Sequence, residues 1–370
     1  MTTPSTTVTL DYPECRSALD LIFRAGMVGY VESNPGQGKT SMIKDHAEEK
    51  GPDYGLFEIN CSLANQPDFM GWFYHVTERY VCDDGSERKI EAGRYTVPYF
   101  LFDKRSGRPW FQFKNGVIVF EEYGQADIDL KRSLGQCFLE RRVGQHLLPQ
   151  DFDIVALSNL QGGRDAVTKD YDFLINRRAQ LRYQLGMDSF LVYAHRTGML
   201  PETMAFSSIP QHDVFSGLVP KEQGSFLTPR SLEGLDKVLK EAYATKTNPQ
   251  DPLFRTIAAG IVGQGAALQY LAFLELRSEI PTVAQIVRDP SGTKVPDRID
   301  MQMFVVFNMA DAADKKNIDA LITYMSRLRS DMSVAFYRNA LLRDRSLMAC
   351  KSFGDWAVAN KTLIEMVNKR

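Results

Sequence analysis

No stretch of the sequence approaches the roughly 18 consecutive apolar residues that a membrane-spanning helix needs, so no membrane role is expected. Cysteine is scarce. The five (Cys15, Cys61, Cys82, Cys137, Cys350) are scattered without C-x-x-C spacing, which excludes a disulfide framework or a zinc site and predicts reduced thiols. The five histidines are equally isolated. Neither sign of charge dominates: 44 Lys and Arg stand against 46 Asp and Glu, a formal net charge of -2. Nothing global therefore points to nucleic acid or an anionic membrane. The opening M-T-T-P-S-T-T-V-T-L-D has no basic start and no apolar run, so no signal peptide is expected and the predicted location is cytoplasmic. Low-complexity runs and fixed-period repeats are also missing.

What is present reads as a folded chain of 370 residues, 44% hydrophobic and 24% charged, long enough for two or three domains. Apolar strand candidates fall at 28–32, 56–60, 116–120 and 152–157. A helix is predicted over Thr40–Lys50, with Met42, Ile43 and Ala47 on one face and Gly51-Pro52 as its stop. Another follows with Leu130, Leu134, Cys137 and Phe138 at i, i+4, i+7 and i+8. Alternating strands and helices predict an α/β domain over 1–186, a mainly parallel sheet with helices on both faces. A polar, glycine-punctuated insertion interrupts it at about 77–110. From about Met187 onward the pattern is helical, divided into a lid domain at 187–280 and a C-terminal extension at 281–370. Thr228-Pro229 marks one helix start.

The segment V-G-Y-V-E-S-N-P-G-Q-G-K-T-S-M-I-K, residues 28–44, carries the most chemistry. A bare Gly-Lys-Thr or Gly-Lys-Ser arises by chance in roughly one in five chains of this length, so context decides. Here a buried strand precedes the tripeptide and a helix follows, so that loop amides and the helix N-terminus converge on one anion. The candidate nucleotide-binding set is Asn34, Pro35, Gly36, Gln37, Gly38, Lys39, Thr40 and Ser41. Gly36 and Gly38 let the backbone approach phosphates, Lys39 reaches the β- and γ-phosphates, and the Thr40 hydroxyl holds Mg²⁺. Ser33 departs from the usual signature, which begins with glycine.

A second segment, G-V-I-V-F-E-E (116–122), has the form of a Walker B strand, whose tip carries one acid near Mg²⁺ and one that polarises the attacking water. Glu121 stands on the metal side, where aspartate is usual, and Glu122 on the water side.

The order of features resembles an AAA+ ATPase, that is, a P-loop NTPase αβα sandwich followed by an all-helical lid. D-F-D-I-V-A-L-S-N ends on Asn159, similar to sensor 1. Y-D-F-L-I-N-R-R (171–178) resembles the segment carrying an arginine finger, with Arg177 the first choice and Arg178 the second. S-F-L-T-P-R-S-L-E (225–233) resembles sensor 2, with Arg230 on the lid helix. Within AAA+ proteins the chain resembles the MoxR family. That likeness rests on Pro67-Asp68-Phe69-Met70-Gly71, on Cys137 to Gly144 followed by Leu147-Leu148-Pro149, and on Thr228-Pro229-Arg230-Ser231. F-L-V-Y-A-H-R-T-G-M-L-P (190–201) resembles that family's connection into the lid. The resemblance covers about residues 15–275. It implies ATP as substrate with Mg²⁺, a hexameric ring, and remodelling or chaperone-like activation of a partner protein, with a von Willebrand factor A domain protein as partner. Two alternatives stay open: a nucleic-acid-directed motor, and a nucleotide-gated scaffold with little hydrolysis.

Other features are set aside. Gly260 to Gly265 contains a further Gly-x-Gly but reads as a break between helices. Met301, Met303, Met309, Met325 and Met332 fall at apolar helix positions and read as core. Aromatics and bases interleave over 94–114, a pattern able to stack on single-stranded nucleic acid. With no net positive charge, packing or a partner surface is the preferred reading.

Overall fold

A computed structural model describes residues 8–160, 168 and 170–359. The chain separates into two compact units, Met1–Leu185 and Gly186–Arg370, and each is described by itself.

The first unit contains β1 (Thr9–Leu10), α1 (Tyr12–Arg24), β2 (Val28–Ser33), α2 (Lys39–Lys50), β3 (Tyr54–Asn60) and α3 (Gln66–Met70). It continues through β4 (Phe73–Val81), β5 (Glu87–Tyr95), β6 (Asn115–Glu121), α4 (Ile128–Glu140), β7 (Arg142–Val143) and β8 (His146–Leu147). β9 (Phe152–Asn159), α5 (Asp172–Ile175) and β10 (Arg178–Tyr183) complete it. Six strands form one parallel sheet in the order β1-β10-β2-β9-β6-β3. The inner strands β2, β6 and β9 are buried almost throughout, as expected of parallel strands covered on both faces. Their register sets the site: Ser33 lies opposite Asn159, and Asn60 opposite Glu121. The carboxyl ends of β2, β6 and β9 are thus brought to one edge of the sheet.

α2 and α4 bury the faces their spacing predicts, Met42, Ile43 and Ala47 on one and Leu130, Leu134, Cys137 and Phe138 on the other. The insertion differs from expectation. It begins at Phe73 as an antiparallel hairpin of β4 and β5, followed by two short 3₁₀ turns. Its aromatics divide: Phe100, Trp110 and Phe113 are buried, whereas Tyr99, Phe102 and Phe111 are exposed. β10 is a strand that the sequence pattern did not predict.

The second unit is helical. It comprises α6 (Met187–Arg196), α7 (Pro201–Ser207), α8 (Pro229–Ala244), α9 (Pro252–Val262), α10 (Gln264–Glu275) and α11 (Val283–Arg288). α12 (Ile299–Asp311), α13 (Ile318–Met325), α14 (Ser330–Arg343) and α15 (Lys351–Ala359) follow. α8 starts with a capping box between Thr228 and Ser231 and buries Leu232, Leu235, Leu239 and Ala242. Gly263, at φ 85°, ends α9 and starts α10, so the Gly-x-Gly there is a helix break. Phe273 of α10 stacks on Phe304 of α12, ring centroids 4.9 Å apart. Met301, Met309, Met325 and Met332 are buried. Among the described residues no helix is long and apolar enough to cross a membrane.

Candidate functional site

The loop between β2 and α2 turns on two glycines in the left-handed region, Gly36 at φ 75° and Gly38 at φ 84°, where a side chain would be strained. Gly38 is the residue before α2, and no described side chain caps that helix. By contrast α1, α3 and α4 are capped by Asp11, Asn65 and Asp127. The first amides of α2 are therefore left facing the loop, which is the arrangement that binds an anion.

Around this loop the charged and polar side chains converge. Lys39 Nζ donates to Ser33 Oγ and Asn159 Oδ1, each at 3.0 Å, and lies 3.3 Å from the Ser33 carbonyl oxygen. Asn159 Nδ2 donates to Glu122 Oε2 at 3.2 Å. The Thr40 hydroxyl donates to Glu121 Oε2 at 2.7 Å. Lys39, Thr40, Glu121, Glu122 and Asn159 thus form one cluster at the carboxyl ends of β2, β6 and β9. Ligand sites of open parallel sheets lie at that edge.

Glu121 is in a strained electrostatic position. Burial pushes its carboxyl above the ordinary carboxylate range, opposed by the Thr40 hydrogen bond. Its second oxygen, Oε1, is buried with no hydrogen-bond partner. An orphaned carboxylate oxygen beside a threonine hydroxyl suits a hard divalent cation such as Mg²⁺, which takes few protein ligands and completes its shell with phosphate and water. Among the described residues no group of three or more His, Cys, Asp or Glu side chains could hold a metal ion. A cation here would be shared with a nucleotide. Glu122 adopts a left-handed backbone, φ 51° and ψ 35°, which costs a non-glycine residue about 1–3 kcal/mol and is tolerated where the surroundings fix it.

The remaining candidates are placed as follows. Gln37 is 1% exposed, and its Oε1 accepts from the Leu185 amide at 3.1 Å. Its side chain therefore secures the loop. Asn34, through its carbonyl oxygen, lies 3.4 Å from Lys39 Nζ. Pro35 is half-buried and Ser41 is exposed. Arg177 is not brought to the cluster. Arg178 pairs with Val28, at the start of β2, so Arg177 stands a strand length, about 17 Å, from the loop. Its guanidinium lies over the Phe173 ring at 5.4 Å. Arg178 is committed elsewhere, to Asp170 at 2.6 Å with its side chain 4% exposed. Arg230 lies in the second unit, exposed on the first turn of α8. Sequence reasoning missed Ser33 as a partner of Lys39, although its departure from glycine was the available signal.

No protein-family model matches the chain. No curated protein matches it either. Among solved structures it is similar to a candidate ATPase of Cytophaga hutchinsonii, at 12% identity over 87% of this chain and 78% of that one, TM-score 0.29. It is similar to the RuvB Holliday junction branch migration motor of Thermotoga maritima, at 11% identity over 90% and 87%, TM-score 0.35. A third is Hsp104 with ATPγS and casein, at 16% identity over 72% of this chain and 44% of that one, TM-score 0.33. Identities and scores this low carry no weight for activity. The strand order, the glycine loop opening α2 and the acids ending β6 are this chain's own, and they give its first unit the αβα fold of P-loop NTPases.

Proposed function

We propose that this protein is an ATP-hydrolysing AAA+ protein resembling MoxR, working as a ring that remodels or activates a partner protein. The observation that carries this reading is the hydrogen-bonded chain Lys39–Asn159–Glu122 beside the Thr40–Glu121 pair. Lys39 and the loop amides hold the phosphates. Thr40 and Glu121 would hold Mg²⁺, which would supply charge neutralisation on the phosphate oxygens. Glu122 accepts a hydrogen bond from the attacking water, and Asn159 fixes the Glu122 carboxylate that does so. Arg177, too far along the sheet to serve its own loop, acts on the neighbouring subunit's γ-phosphoryl group. Arg230 is assigned the sensor 2 role by resemblance alone. The same resemblance implies a ring of six and a partner with a von Willebrand factor A domain.

Steady-state ATP turnover with Mg²⁺, measured across protein concentration, tests this. Turnover per subunit should rise steeply as rings assemble, because a finger supplied in trans contributes about 10³–10⁵ in rate. Turnover that is independent of concentration and unaffected by Arg177→Ala would sink the trans arrangement. More than about tenfold stimulation by nucleic acid would move the partner to that class.

A further inference from the structure

Outside the nucleotide cluster, three ionic side chains meet in the interior of the first unit. Lys131 of α4 is 0% exposed, and its Nζ lies 2.8 Å from Asp170 Oδ1. Arg178, the first residue of β10, meets the other Asp170 oxygen at 2.6 Å. The Arg178 guanidinium lies 3.6 Å from the Tyr30 ring centroid and 5.4 Å from that of Tyr123. Lys131 Nζ is 5.0 Å from the Tyr123 ring. These are ion pairs without satisfied hydrogen bonds, since Asp170 Oδ1 and Arg178 Nε and Nη1 are buried with no hydrogen-bond partner among the described residues. With water excluded, the charge pairing and the two rings hold the group together. Thr168 extends the hold: its carbonyl accepts from Lys131 Nζ at 2.8 Å, and its hydroxyl donates to the Ala126 carbonyl at 2.7 Å.

Two functional side chains border this group. Tyr123 directly follows Glu122, whose backbone is left-handed. Arg178 directly follows Arg177. We propose that Lys131, Asp170 and Arg178 are positioning residues that fix the Glu122 carboxylate and the Arg177 finger together, coupling a subunit's own site to the finger it offers its neighbour. This rests on the reading in which Glu122 serves its own site and Arg177 the neighbouring one.

Mixed rings of two variants, read as ATP turnover, test it. Glu122→Gln lacks only its own site and Arg177→Ala only its finger, so together they should regain at least about tenfold over either alone. That control does not involve the ionic group. Arg178→Gln should bind an ATP analogue within about threefold of the parent protein, yet regain no turnover when mixed with either variant. Arg178→Lys, which keeps the charge, should recover at least about tenfold over Arg178→Gln. Beside a working control, recovery in either Arg178→Gln mixture, or no recovery with lysine, overturns the proposal alone. A failed control overturns the underlying reading and the proposal with it. Should Arg178→Gln not bind nucleotide, the near-isosteric Asp170→Asn carries the same mixing prediction. Loss of binding there as well overturns the proposal, because the group then holds the fold rather than the acid and the finger.

Discussion

Lys39 and Asn159, 120 residues apart in the chain, meet at 3.0 Å through Nζ and Oδ1. The lysine that would contact phosphate and the asparagine that would steer the water therefore share one hydrogen bond, continued from Asn159 to Glu122. Ser33 Oγ accepts from the same ammonium. Lys39→Ala is expected to weaken ATP binding by about 10- to 100-fold, since a charge-assisted contact is worth roughly 1.5–3 kcal/mol. Ser33→Gly should shift that affinity by less than about fivefold, because Asn159 and two carbonyl oxygens still hold the ammonium. Equilibrium binding of a fluorescent ATP analogue distinguishes them. An unchanged affinity in Lys39→Ala removes the loop from the mechanism.

Glu122 and Asn159 should separate binding from chemistry. Glu122→Gln keeps the size of the side chain and its place beside Asn159, so nucleotide should bind and rings persist. Turnover should fall by about 10²–10⁴, the usual worth of a positioned base. Asn159→Ala should also lower the rate at saturating ATP, with KM little changed. Single-turnover measurements on assembled protein read this directly. If Glu122→Gln turns over at the parent rate, another group orients the water.

Much of this site is legible in the sequence because it is local. The strand, the glycine loop and the helix of 28–50 are contiguous, and the acids of 121–122 directly end an apolar run. Asn159 is legible for the same reason, at the tip of a buried strand. β10 is not. R-A-Q-L-R-Y has no run of apolar residues, and its place in the sheet comes from pairing with β2. The hairpin of β4 and β5 is exposed along nearly its whole length. No apolar alternation therefore marks it, and the stretch at 77–110 reads as a polar, glycine-punctuated insertion. Nor does any spacing reveal that Arg178, the second choice for the finger, pairs with Asp170 beside Lys131.

Glu121 is the residue through which the proposed Mg²⁺ site can be tested. Its buried Oε1 lacks a partner while Oε2 is held by Thr40. Glu121→Gln removes the negative charge but keeps the reach, so the Mg²⁺ concentration for half-maximal turnover should rise by more than about tenfold. Nucleotide affinity in EDTA should stay within about threefold, because the loop contacts are untouched. A magnesium titration of turnover, paired with binding in EDTA, reads both. An unchanged magnesium requirement would show that the carboxylate serves the fold instead.

His46 gives the first unit a dependence on pH. It sits on the inner face of α2, 2% exposed. Its Nδ1 lies 3.1 Å from the Arg16 guanidinium and its Nε2 lies 3.3 Å from the Tyr54 hydroxyl. Arginine only donates, so Nδ1 accepts and the proton of the neutral ring sits on Nε2. Tyr54 in turn donates to Asp153. A second proton would face Arg16. Burial first, and the Arg16 charge second, lower the His46 pKa to about 4, from 6.5. Between those values the unfolded chain binds more protons, so stability rises with pH there. The contribution is fully present above about 6.5 and is lost as pH falls through about 4. Its size is on the order of 3 kcal/mol. The Asp153 carboxyl, raised by burial, acts in the opposite sense, so the parent slope alone does not isolate His46. Urea unfolding of the parent and of His46→Gln from pH 4 to 8 does. Parent stability minus that of His46→Gln should be more positive at pH 7 than at pH 4, and parallel curves would show that His46 titrates normally in the folded protein.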